Sequence, residues 1–208
     1  YNVNLSVNGG GAFARYYVSG SFFDQKGSYK LNPENPYNSN VGYRRYDFRS
    51  NVDMSLTKST TLSLSLAAML VNANYPGVSA QDAWYNAMMQ PPTLFPIRYP
   101  DGKWAGPVTN QGVNPVNALQ NSGYSNEFKP TMQSVFTLNQ KLDDLTEGLS
   151  ATGRFSFDSY SETTMRRRKN GDTWLAYRRD VDGNLVYTQT NYGDEFMTFG
   201  AQTVDVQR

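Results

Sequence analysis

Residues 46–70, "YDFRSNVDMSLTKSTTLSLSLAAML", change polarity at almost every step. Tyr46, Phe48, Val52, Met54 and Leu56 are apolar, and Asp47, Arg49, Asn51, Asp53 and Thr57 fall between them. After Lys58-Ser59-Thr60 the alternation resumes, with Leu62, Leu64, Leu66, Ala68 and Leu70 set against Thr61, Ser63 and Ser65. Successive side chains of a strand point to opposite faces, so a period of two means a β-hairpin with one apolar face. What that face touches decides the fold: the core of a soluble sandwich, or lipid.

Strand length and connection length favour lipid. Strand-like stretches run at about 2–8, 13–23, 45–57, 61–71, 131–142 and 149–160, with a weaker pair at 173–180 and 185–191 and a last one from near 196. Several run 11 to 13 residues, enough for the roughly 9–11 of a membrane-spanning strand, against about five or six in soluble sheets. The links alternate strictly in length. Gly9-Gly10-Gly11, "KST" and "DDLTEG" are short, whereas 24–44, 72–130 and 161–195 are long. Outer-membrane barrels place tight turns at the periplasmic rim and long loops outside. Aromatics gather on the long-loop side (Phe22, Phe23, Tyr43, Tyr46, Phe48, Phe155, Phe157 and Tyr160), as an interfacial belt predicts. The alternate positions, Asp47, Arg49 and Asp53 among them, then face a lumen.

Composition removes other classes. With no Cys and no His, zinc and haem sites, thiol nucleophiles and His-based triads lose their usual groups, and no cofactor is expected. Net charge is +1, so no global nucleic-acid signal exists. No run approaches the ~18 apolar residues of a membrane helix, and mean hydropathy is negative. A barrel accommodates both facts, because its lumen-facing residues dilute hydropathy. The chain begins and stops inside alternating stretches, "YNVNLSV" and "TVDVQR", and reads as a piece of a longer one.

The 72–130 connection is too long and too aromatic to be a passive loop. Ser79 with Asp82 signals a short helix through Met89, closed by Pro91-Pro92 and carrying Trp84, Ala87 and Met88 on one face. A folded cap on the outer rim is expected. Trp84, Tyr85, Tyr99, Trp104 and Trp174 are the candidate contacts to substrate or to a lid protein. The competing reading is that they form the loops' own small core. "DVDGN" at 180–184 reads as an Asp-Gly turn rather than a calcium loop. "MRRRKN" at 165–170 is the one basic cluster, placed at the outer rim against lipopolysaccharide, an acidic partner or solvent. No pair of carboxylates or other constellation argues for catalysis.

Four stretches carry a family resemblance: "VNLSVNGGGAFARYYVSGSFFDQKGSYK" (3–30), "YRRYDFRSNVDMSLTKSTTLSLSL" (43–66), "PPTLFPIRYPDGKW" (91–104) and "NPVNAL" (114–119). In order and spacing they resemble the SusC/RagA family of TonB-dependent outer-membrane transporters of Bacteroidetes. The resemblance spans most of the chain and thins after about 160. It implies an all-β fold, an antiparallel transmembrane barrel segment within a plugged barrel of about 22 strands. The plug and the TonB-contacting segment of that family are absent from this sequence. It further implies import of oligosaccharides, or in some members peptides, under a SusD-like surface lipoprotein lid, with energy from TonB. The rival readings are a soluble secreted β-sandwich that binds glycans, and a passive porin.

Overall fold

The computed structural model describes residues 1–91, 93–108, 113–200 and 202–207. One antiparallel sheet dominates, in the order β1 (Asn2–Gly10), β2 (Ala14–Lys26), β3 (Gly42–Ser55), β4 (Thr60–Pro76), β5 (Gly123–Lys141), β6 (Ser150–Arg168) and, across a long connection, β10 (Thr203–Gln207). Helices α1 (Ala80–Met89) and α2 (Pro115–Asn121) lie between β4 and β5. The hairpin β7 (Thr173–Arg179) and β8 (Leu185–Asn191) and the two-residue β9 (Thr198–Phe199) lie between β6 and β10. The fold is all-β and antiparallel. No helix among the described residues is long and apolar enough to cross a membrane, which says nothing of strands.

Cross-strand partners share a face, so the register sorts every side chain. One rung reads Tyr16–Val52–Leu64–Phe136–Phe155; others read Val18–Ser50–Leu66–Ser134–Phe157 and Gly20–Phe48–Ala68–Met132–Ser159. From the Met54–Leu62–Leu138 rung to the Phe22–Tyr46–Leu70 rung this face carries no charge. The band covers residues 14–22, 46–54, 62–70 and 130–138, nine residues on each of four neighbouring strands, within the span a tilted strand needs to cross a bilayer. The next rung, Asp24–Arg44–Asn72, ends it with an ion pair of 3.1 Å. Over the same height the other face holds Arg15, Asp47, Arg49, Asp53, Arg154 and Asp158.

The apolar face covers nothing. Phe48 is 47% exposed and Phe155 64% exposed. The buried apolar side chains among the described residues are Val71, Ala73, Ala83, Tyr99 and Ala105, and none of them lies on it. A sandwich would bury this face against a second sheet. Its one deeply buried hydroxyl, Ser134, donates to the Phe157 carbonyl at 2.9 Å, so the polar group is satisfied within the sheet.

Several expectations are corrected. The strands outrun the apolar pattern: β4 continues to Pro76, β5 begins at Gly123 and β6 continues to Arg168, so the long connections are shorter than 72–130 and 161–195. Polar residues such as Asn74, Asn126 and Glu127 break the alternation there, but backbone pairing does not require it. Gly9 and Gly10 belong to β1 rather than to the turn, which is closed by Gly11 N donating to the Ala14 carbonyl. A Cβ on Gly9 would lie 2.8 Å from the Tyr16 hydroxyl, so glycine lets that ring lie across the strand. Leu56 lies in the β3–β4 turn, outside the band, where Thr57 Oγ1 accepts from Ser59 N and Thr60 N. The aromatic belt is also thinner than expected. Phe22 and Tyr46, 5.1 Å apart, crown the apolar face, but Phe23, Tyr43 and Tyr160 have the opposite parity and face the polar side. Phe155 sits low on the band and Phe157 on its central rung, so neither lies at the upper edge, because β6 runs on well beyond them.

Candidate functional site

The polar face and the cap above it carry the charged and hydrogen-bonding side chains. Low on the face, Ser63 Oγ donates to Asp53 at 2.5 Å. Higher up, Asp47 accepts from Ser21 Oγ at 2.8 Å and from Arg45 Nε at 3.0 Å. Above that, Lys129 bridges Glu127 at 2.9 Å and Glu162 at 3.0 Å, and the Tyr160 hydroxyl donates to Glu162 at 2.7 Å. A cleft of about 590 Å³ opens over the middle of this face, with Ser19, Ser21, Asp47, Arg49 and Gln133 in its wall. Charge-assisted and hydroxyl contacts of this kind hold side chains in place along a wet surface.

The cap is tied down by amides. Asn114 is the N-cap of α2: its Oδ1 accepts from Val116 N and Asn117 N, while its Nδ2 donates to the carbonyls of Ile97 and Ala105 at 2.9 and 2.7 Å. Pro115 at the first helical position needs no partner for a missing N–H. From α2 the chain of amides reaches the 27–41 connection. Asn121 Oδ1 accepts from Asn32 and Asn35 at 3.0 and 2.8 Å, and Gln120 Nε2 donates to the Lys30 carbonyl at 2.7 Å. Asn114 is 2% exposed. Asn114→Ala should therefore remove a cap and orphan two buried carbonyls, costing about 2–3 kcal/mol of local stability. Hydrogen exchange checks this: amides of 97–108 and 113–121 should exchange faster while those of β3 and β4 keep their protection.

The five candidate aromatics separate into two groups. Tyr99, Trp104 and Trp174 come together at the base of the β7–β8 hairpin. Tyr99 is buried, accepts from Ala176 N through its hydroxyl at 2.9 Å, and stands edge-on to Tyr187 at 5.0 Å. Arg98 lies 3.9 Å over the Trp104 ring and pairs with Glu34. Lys103 sits between Trp174 and Tyr187 and pairs with Asp101, holding that carboxyl below its ordinary range. Desolvation pushes the Tyr187 phenol up. These residues form a small core of the cap itself.

Trp84 and Tyr85 are placed elsewhere. Ser79 caps α1 by accepting from Asp82 N, and Ala83 is the residue the helix buries. Trp84, Tyr85, Ala87, Met88 and Met89 are all on its exposed side, Trp84 at 70% and Met88 at 69%. The expected closing pair Pro91-Pro92 falls partly outside the described residues, at Pro92. In the hairpin tip, Asp180 accepts from Asp182 N, Asn184 N and Asn184 Nδ2, which lowers its pKa and fixes the Asp-Gly turn, with Gly183 at φ 85°.

Sequence reasoning missed the amide network and the Lys129–Glu162 bridge. "NPVNAL" held a usable signal, an Asn N-cap before Pro, but the long-range partners of Asn121 and Gln120 have no local signature.

Compared with proteins of known identity, the chain is similar to TonB-dependent receptor P26 of Formosa agariphila. The two are 24% identical over 240 aligned positions, which cover 99% of this chain and 22% of that protein. The chain thus spans about a fifth of the length of the relative it matches. No protein-family model matches the chain, and no solved structure does.

Proposed function

We propose that this chain forms part of the wall and outer loops of a TonB-dependent outer-membrane transporter of the SusC/RagA kind. The observation that carries the reading is the uncharged nine-residue band, in register across four strands, opposite a face that holds the charges of the same strands. Hydrocarbon outside and water inside account for both. The similarity to a TonB-dependent receptor over nearly the whole chain supports the same reading. The solute is an oligosaccharide, with a peptide as the alternative cargo. It passes along the polar face, and coupling to TonB runs through parts of the protein outside this sequence. A SusD-like lipoprotein closes the outer mouth, and the exposed side of α1 with Trp84, Tyr85 and Met88 is its contact on this chain. Membrane lipid and lipopolysaccharide surround the band and its upper rim.

Two measurements test this. Uptake of labelled oligosaccharide by cells making the whole protein should stop when the proton gradient is collapsed; uptake that continues would instead indicate a passive porin. Trp84→Ala with Met88→Ala should weaken retention of the lid lipoprotein by about tenfold or more, as large apolar anchors do. Unchanged retention would remove α1 from the interface.

A further inference from the structure

A second cleft lies higher on the polar face, above the Lys129 bridge. It measures about 650 Å³ and is walled by Tyr29, Tyr75, Glu127, Arg166, Arg168 and Lys169. Arg166 and Arg168 are alternate residues of β6, so both project to the polar side, roughly 6.7 Å apart. The intervening Arg167 has the opposite parity and stacks on Phe199 at 3.6 Å. Pairing of Arg167 and Arg168 with β9 keeps this stretch extended, which holds the two guanidinium groups on one side.

The three cations are not neutralised. No ion pair among the described residues involves Arg166, Arg168 or Lys169. Two acids border the cleft, and neither pairs with any of the three. Glu127 pairs with Lys129, and Asp82 accepts from Ser79 Oγ at 2.6 Å beside the N-terminus of α1. Three cations against two carboxylates leave the cleft net positive, with two planar guanidinium forks and three phenol rings, Tyr29, Tyr75 and Tyr124, in its wall. Guanidinium forks match planar oxyanions in bidentate fashion, and aromatic rings stack on sugar faces.

We infer that this cleft is a selectivity site for oligosaccharides bearing carboxylate or sulfate groups, a statement that rests on the transport reading above and narrows its substrate class. A neutral glycan would leave three cations without partners. An acidic one replaces their hydration with charge-assisted contacts at the mouth of the path.

The test uses the whole protein, extracted in detergent and checked for assembly by heat-modifiable migration. Three probes of equal length are titrated: a uronate oligosaccharide, a sulfated one and a neutral one. At least one acidic probe should bind about tenfold more tightly than the neutral probe, and that preference should shrink as salt rises from about 50 to 300 mM. Whichever acidic probe binds identifies the oxyanion. Arg166→Gln with Arg168→Gln should abolish the preference for the acidic probes over the neutral one, while Arg166→Lys with Arg168→Lys should restore part of it. Equal binding of all probes, or a silent glutamine variant, overturns the inference. So does a glutamine variant that keeps saccharide binding but releases a protein partner. Failure of the transport reading looks different: cells would take up no saccharide of any charge.

Discussion

Leu64→Arg in the whole protein should block assembly into the membrane, while Ser63→Arg should be tolerated. The two positions are neighbours on β4 with opposite parity. Leu64 faces Val52 and Phe136 inside the uncharged band, one rung above its lower edge, and Ser63 faces Asp53 and Thr137 on the polar side. An arginine facing lipid near mid-membrane costs about 2–4 kcal/mol, and the cost fades toward the interfaces. At position 63 an arginine would lie beside the Asp53 carboxylate that Ser63 now contacts. The measurement is the fraction of heat-modifiable, protease-resistant protein in washed membranes. Equal damage from both substitutions would mean that the lipid-facing side has been misassigned.

Gly123→Ala should be the most damaging single-methyl change in the cap region. Gly123 opens β5 at φ 93°, a conformation that side chains rarely adopt. A Cβ there would lie 2.0 Å from the Arg167 carbonyl oxygen, a backbone atom that cannot step aside. The site is also the neck of the 77–122 connection, where Gly77 N donates to the Gly123 carbonyl at 3.0 Å. Strain and overlap together should cost about 2–4 kcal/mol. Gly148→Ala is the control. It has φ 80° but open space around its Cβ, so only the conformational cost of about 1 kcal/mol applies. Limited proteolysis of the 77–122 segment should accelerate strongly in the first variant and little in the second; equal rates would refute the close-approach argument.

The sheet was legible in the sequence because a period of two is a local signal, and one face of each strand is uniform. Leu62, Leu64 and Leu66 against Thr61, Ser63 and Ser65 set both strand and parity. Strand ends were not legible where polar residues occupy both faces, as at Asn72–Asn74 and Glu127–Lys129. There pairing is sustained by the neighbouring strand rather than by the pattern. The helix α1 was readable from Ser79 and Asp82 because capping is local. Which loop aromatics are exposed was not readable. Tyr99 is buried because Ala176 and Tyr187 arrive from 77 and 88 residues away, and nothing near "IRYPDGKW" announces them. The basic run was visible, but its splitting by strand parity, Arg167 to one side and Arg166 with Arg168 to the other, appears only once β6 is known to continue through it.

The extension of β4, β5 and β6 beyond the uncharged band has a consequence for how tightly anything can be held there. Six or seven paired residues rise past the Leu70–Pro130 rung, about 20 Å along each strand. In a membrane this stands as a collar in water, so Arg166, Arg168 and Lys169 meet hydration rather than a low dielectric. The same water screens what they attract. Contacts at the collar are consequently weak, salt-sensitive and quick to break.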